Sequence, residues 1–274
     1  MHMKNFKWII SFFIFASIVI GMKSPITKLP ILERTDLSPI IMVPGSSAGE
    51  NRFDYLISNL PPENDYFKHS LLKIKIDQEG RLQIRGNISI GDDEPIIVIA
   101  FKNNRDGYKN INQQAKLLGH AIIILKRKYN FNNFRALGHS NGGLIWTLAI
   151  ERYINTSKIH LDCLMTIATP YNLENESYKR SQMLDELIDN RNRIPHNTTV
   201  YSIAGAQSYD TDGKVESDSV YSGKYIFQPR VKYFTEITVT GADTGHYNLP
   251  QNRQVIGIVS NYLCDNLART NTFE

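Results

Sequence analysis

Apolar positions in this chain fall into short unbroken runs, separated by segments whose apolar residues recur at helical spacing. The first run, Pro39 to Val43, stops at the small-residue loop Pro44-Gly45-Ser46-Ser47-Ala48-Gly49, as a strand entering a turn does. A short helix is predicted over Phe53 to Leu60, closed by Pro61-Pro62. Alternation follows: Leu72-Ile74-Ile76, a turn at Gln78-Glu79-Gly80, then Leu82-Ile84 and Ile88-Ile90 predict a β-hairpin across 70–90. Pro95 to Phe101 is a continuous apolar run of the buried-strand type. Ile111, Ala115, Leu118, Ile122 and Leu125, spaced by four and three, predict a helix ending at Lys126-Arg127-Lys128, where cations suit the C-terminus.

Further strands are predicted at Phe134 to Leu137, Leu161 to Ala168, Val200 to Ala204 and Val231 to Thr240. Between them, helices are predicted from Gly142 to about Tyr153, over Ser181 to Asp189, and over Gln251 to Ala268. Strand and helix in alternation imply an α/β fold, a mostly parallel central sheet with helices on both faces. The polar stretch 171–196 lies between two strands and is expected to form a small helical cap over a pocket. At 42% hydrophobic and 21% charged residues over 274 positions, the chain can bury a full core, which excludes a disordered protein. One domain over 37–274 is expected.

The formal net charge of +4 changes this picture little, because Lys4, Lys7, Lys23 and Lys28 all precede the first acid, Glu33. The remaining body is neutral and offers no basic face for a nucleic acid. The basic excess flanks an uncharged run from Trp8 to Met22, the layout of an export signal. As a helix that run would be about 22 Å long, short of a bilayer core. Residues 1–22 are therefore expected to be a signal peptide or an N-terminal membrane anchor, with 23–36 as a tether. That places the body outside the cell, secreted or held at the membrane face. The two cysteines, Cys163 and Cys264, make no disulfide framework, and no metal-ligand or nucleotide-binding spacing occurs. No cofactor and no metal is expected.

Gly138-His139-Ser140-Asn141-Gly142 has the form Gly-x-Ser-x-Gly, with an apolar strand before it and a helical run after it. The glycines let the strand turn so sharply into the helix that the serine is held exposed on a strained backbone. Ser140 is the candidate nucleophile, and in folds that use this elbow the acid and the histidine follow it in that order. Of the seven histidines, His246 fits best, in the small-residue loop Gly241 to Gly245 after the last strand. His139 sits inside the elbow, and His2, His69 and His120 come too early. Asp210, Asp212 and Asp218 all follow the strand at Val200 to Ala204; Asp212 is preferred because Asp212-Gly213 makes a tight turn that can hold a carboxylate rigidly. The oxyanion formed on attack needs two backbone N–H donors, expected from Ser46 and Asn141.

Taken together, Pro95 to Asn104, Gly138 to Gly143, Ile167 to Asn172, Ser202 to Gly205, Asp212 to Val215 and Gly245-His246 resemble a family of bacterial alpha/beta-hydrolases often labelled cell surface hydrolase. The resemblance spans nearly the whole body. It implies the alpha/beta-hydrolase fold with an added early hairpin, an exported location, and a triad of Ser140, Asp212 and His246. Two positions depart from the family's pattern: Pro44 stands where a His commonly precedes the Gly, and Asn141 where an apolar residue is common. Neither removes a backbone donor. The expected activity is cleavage of a carboxylic ester, in a small molecule or an acylated substrate, through an acyl-enzyme. An acyltransferase or thioesterase would use the same residues, and a surface binding protein could keep the fold with the serine idle.

Overall fold

In the computed structural model, residues 37–60, 69–173 and 179–264 are described. Residues 1–36, which hold the expected export segment and tether, lie outside them, as do 61–68, 174–178 and 265–274. Among the described residues no helix is long and apolar enough to cross a membrane. The strands are β1 (Ile40–Val43), β2 (Leu71–Ile76), β3 (Leu82–Arg85), β4 (Ile96–Phe101), β5 (Asn133–His139), β6 (His160–Ile167), β7 (Thr199–Ala206) and β8 (Tyr233–Thr240). They form one sheet in the order β3-β2-β4-β1-β5-β6-β7-β8, in which only β3 runs antiparallel to its neighbour. Parallel strands need crossover helices, and those helices cover both faces. Every residue of the central strands β1 and β4 is accordingly buried, which accounts for their unbroken apolar sequence.

Strand alternation divides the core in two. Ile41 and Val43 of β1 face α2 (Tyr108–Tyr129) and α3 (Asn141–Arg152), while Ile40 and Met42 face α1 (Asp54–Ser58) and α7 (Arg253–Val259). Helix α2 ends at Asn130, whose left-handed backbone (φ 53°) returns an N–H to the Lys126 carbonyl, the cap expected at such a stop. Cys163 and Cys264 remain thiols buried in the second half of the core, and burial pushes the Cys163 thiol up to about 12, so it stays protonated.

The hairpin is shorter than the apolar pattern predicts. β3 ends at Arg85, and Ile90 is 88% exposed. Gly86 breaks the ladder: it sits at φ +93° so close to β2 that a Cβ would lie 2.2 Å from the Leu71 carbonyl oxygen. Between β7 and β8 lie two helices that the pattern does not announce, α5 (Ser217–Tyr221) and α6 (Lys224–Phe227), each too short to show a period. At the C-terminal end of the described residues, α7 widens after Val259 into a π-helical turn over Ser260–Cys264.

Within the stretch 171–196 the described residues include the expected helix, α4 (Gln182–Asn190), capped by the Ser181 hydroxyl accepting from the Leu184 N–H. Its position is different from that of a cap over a pocket. Met183, Leu184 and Leu187 are fully buried in the main core, with Arg152 of α3 paired to Glu186 at 2.8 Å. A helix packed this way supports the fold. Leu187→Ala is expected to lower the unfolding free energy by about 2–5 kcal/mol, measured by urea denaturation.

Candidate active site

β5 runs into α3 through Ser140, whose backbone (φ 55°, ψ −131°) lies in a region that only glycine enters without strain. The surroundings hold it there. The Ser140 N–H donates to the Ile167 carbonyl at 2.8 Å, and the Ser140 carbonyl accepts from the Thr169 hydroxyl at 3.1 Å and the Gly143 N–H at 3.0 Å. The turn also needs room. A Cβ on Gly142 would fall 2.1 Å from the Val43 carbonyl oxygen, and one on Gly138 2.5 Å from the Gly143 nitrogen. These neighbours are backbone and cannot swing aside. Gly142→Ala is therefore expected to cost at least about 2 kcal/mol of stability in a thermal or urea melt.

Three side chains that the sequence spreads over 106 positions meet at this turn. Ser140 Oγ lies 3.0 Å from His246 Nε2, and His246 Nδ1 lies 2.7 Å from Asp212 Oδ2. All three residues are buried. Asp212 can only accept, so Nδ1 carries the proton and Nε2 presents its lone pair to the serine hydroxyl. The other oxygen of Asp212 accepts from the Lys214 N–H at 3.0 Å and the Val215 N–H at 2.7 Å, and the Asp212 carbonyl accepts from the His246 N–H at 2.9 Å. The Asp-Gly turn thus fixes the carboxylate and the histidine backbone together, with Gly213 at φ +86°. Among the described residues it is Asp212, and neither Asp210 nor Asp218, whose carboxylate pairs with His246.

The first loop closes over the serine from the other side. Gly45 comes so near that a Cβ would lie 2.7 Å from the Ser140 Cβ. Beside it, neither the Ser46 N–H nor the Asn141 N–H has an acceptor among the described residues. The Asn141 side chain donates to the Ser46 hydroxyl at 2.8 Å and to Asp106 Oδ1 at 2.7 Å, so this departure from the family's apolar residue ties two loops together.

Several residues of the site were not evident from the sequence. A cleft of 150 Å³ at Ser140 is lined also by Arg52, Asp106, His139, Lys214 and Tyr247. None of the described residues of 171–196 lines it. His139, set aside as part of the elbow, packs its ring 5.0 Å from that of His246 and donates through Nε2 to the His246 carbonyl at 3.1 Å. Burial and the nearby Arg52 cation hold its pKa well below the ordinary value, so it stays neutral. His139, Lys214 and Tyr247 adjoin assigned residues in sequence, and that adjacency was the available signal. Arg52 and Asp106 arrive on separate loops, for which no local signal exists.

The model of a family described as alpha/beta hydrolase of unknown function (DUF915) matches residues 31–266. The fold is similar to that of a protein from Lactobacillus plantarum WCFS1 described as a cell surface hydrolase, at 53% identity and a TM-score of 0.75, over 84% of this chain and 92% of that one. It is also similar to a gene product of Listeria innocua, at 27% identity and a TM-score of 0.73, over 82% of this chain and 92% of that one. An esterase from Pyrococcus furiosus, 12% identical with a TM-score of 0.50 over 83% and 82% of the two chains, shares the fold alone. No curated protein matches the chain.

Proposed function

Since the chain belongs to the DUF915 family of alpha/beta hydrolases, we propose that it is an exported serine hydrolase that cleaves a carboxylic ester through an acyl-enzyme. The observation that carries this reading is the relay of two hydrogen bonds, 3.0 Å from Ser140 to His246 and 2.7 Å from His246 to Asp212. Ser140 Oγ attacks the ester carbonyl carbon while His246 Nε2 takes the hydroxyl proton. The oxyanion is held by the Ser46 and Asn141 N–H groups, whose lack of an acceptor leaves them ready without rearrangement. Collapse breaks the bond to the alcohol oxygen, which receives the proton from His246. A water then attacks the acyl-serine by the same route, releasing the acid and restoring the serine. Asp212 keeps the imidazole in the productive tautomer and stabilises the imidazolium.

Export is supported by the Lys-flanked apolar run at residues 8–22 and by the likeness to a protein described as a cell surface hydrolase. The test is intact-mass analysis of the purified protein after incubation with a fluorophosphonate. One adduct per chain is expected, lost in Ser140→Ala. A folded protein that takes no adduct would mean that Ser140 is not activated and would favour a binding role.

A further inference from the structure

We propose that the cleft is built for an ester carrying a carboxylate within a few bonds of the scissile carbonyl, with Arg52 and Lys214 as its recognition groups. The proposal rests on the serine-hydrolase reading and names the substrate class of that same site. The cleft lined by Ser140 also has two cations on its lining, Arg52 and Lys214, and one carboxylate, Asp106. Asp106 is exposed to solvent, and its Oδ1 accepts from Asn141 Nδ2 and from the Gly107 N–H at 2.6 Å. It is thus a structural acceptor that joins loops.

Arg52 is placed differently. It is half-buried, and one Nη donates to the Tyr247 carbonyl at 2.6 Å, which aims the guanidinium along the wall next to His246. Among the described residues it has no carboxylate partner, and desolvation lowers its pKa, the mark of a cation whose hydration is only partly replaced. Lys214 stands across Tyr247 from it, Nζ 3.4 Å from the tyrosine hydroxyl and 5.6 Å from the ring centre. A guanidinium fork with donors to spare, beside a second cation, is the arrangement that takes a planar oxyanion. Because Arg52 and Lys214 line the same cleft as Ser140, a charge bound by them sits close to the reacting carbon.

The test compares matched charged and neutral esters in the full-length protein: monomethyl succinate against methyl butyrate, and O-acetylglycolate against ethyl acetate. The first pair places the carboxylate on the acyl side and the second on the alcohol side. In at least one pair, kcat/KM for the charged member is expected to exceed the neutral one by about tenfold or more. Arg52→Gln should collapse that ratio by about tenfold, Arg52→Lys should keep most of it, and Lys214→Met should reduce it a few-fold. A ratio near one in both pairs overturns the proposal. So does a ratio that Arg52→Gln leaves intact while both rates fall together, since Arg52 would then only be positioning His246 through Tyr247. Binding of the same four esters to Ser140→Ala, followed by NMR titration, separates this proposal from the reading beneath it. Preferential binding of a charged member supports the anion site even if the wild type turns over no ester; equal binding within both pairs overturns it.

Discussion

Asp212→Asn is expected to reduce kcat for any ester substrate by about 10⁴-fold while leaving the fold intact. Asp212 carries two loads through different oxygens, and asparagine keeps only one of them. Its amide oxygen can still accept from the Lys214 and Val215 N–H groups, so the turn survives. Its amide nitrogen then faces His246 Nδ1, where the carboxylate oxygen lies at 2.7 Å, and a donor there forces the proton onto Nε2. The imidazole would point an N–H at Ser140 where a lone pair is needed. Steady-state kinetics with circular dichroism as a control for folding would check this. Loss of less than tenfold in a well-folded variant would remove Asp212 from the relay.

Glu151→Gln is expected to raise stability by on the order of 3 kcal/mol at pH 7 and to flatten its pH dependence. Glu151 is buried on α3, and neither of its carboxyl oxygens has a hydrogen-bond partner among the described residues. Burial raises its pKa from an ordinary 4.5 to about 9, with Arg152 opposing only in part. Between those values the folded protein holds a proton that the unfolded chain has released. Stability therefore falls as pH rises from about 4.5 to 9, and is free of this cost below 4.5. Glutamine mimics the protonated acid at every pH. Urea denaturation at pH 5 and pH 8 should show the variant gaining little at the lower pH and most at the higher. An equal gain at both would mean that Glu151 finds a compensating partner when ionised.

What the sequence made legible, and what it did not, follows from how local each signal is. The elbow could be read because two glycines are imposed by backbone contact, Gly138 against Gly143 and Gly142 against Val43. The central strands could be read because burial on both faces permits only apolar residues there. Asp212 stood out from Asp210 and Asp218 through the glycine after it, the same residue that lets the turn hold both acid and histidine backbone. Chain periodicity carries nothing, however, about which loops converge. Arg52 follows the first loop, Asp106 follows β4, and only folding brings them to one cleft with Ser140. Periodicity also misled at Ile88-Ile90, where the pattern continues past Gly86 although the pairing cannot. The 171–196 segment misled through composition: its polar residues face outward from a helix whose Met183, Leu184 and Leu187 belong to the main core.

The backbone of Ser140 has an evolutionary corollary. A residue with a Cβ held at φ 55°, ψ −131° costs the folded state on the order of 1–3 kcal/mol that glycine would not. Ser140→Gly should thus abolish turnover and yet raise the melting temperature. Natural selection keeps a side chain at this position against a standing pull toward its loss, and relaxed selection would let it drift to glycine with a gain in robustness. A descendant that had given up chemistry would then be recognisable by a Gly-x-Gly-x-Gly elbow in an otherwise intact fold.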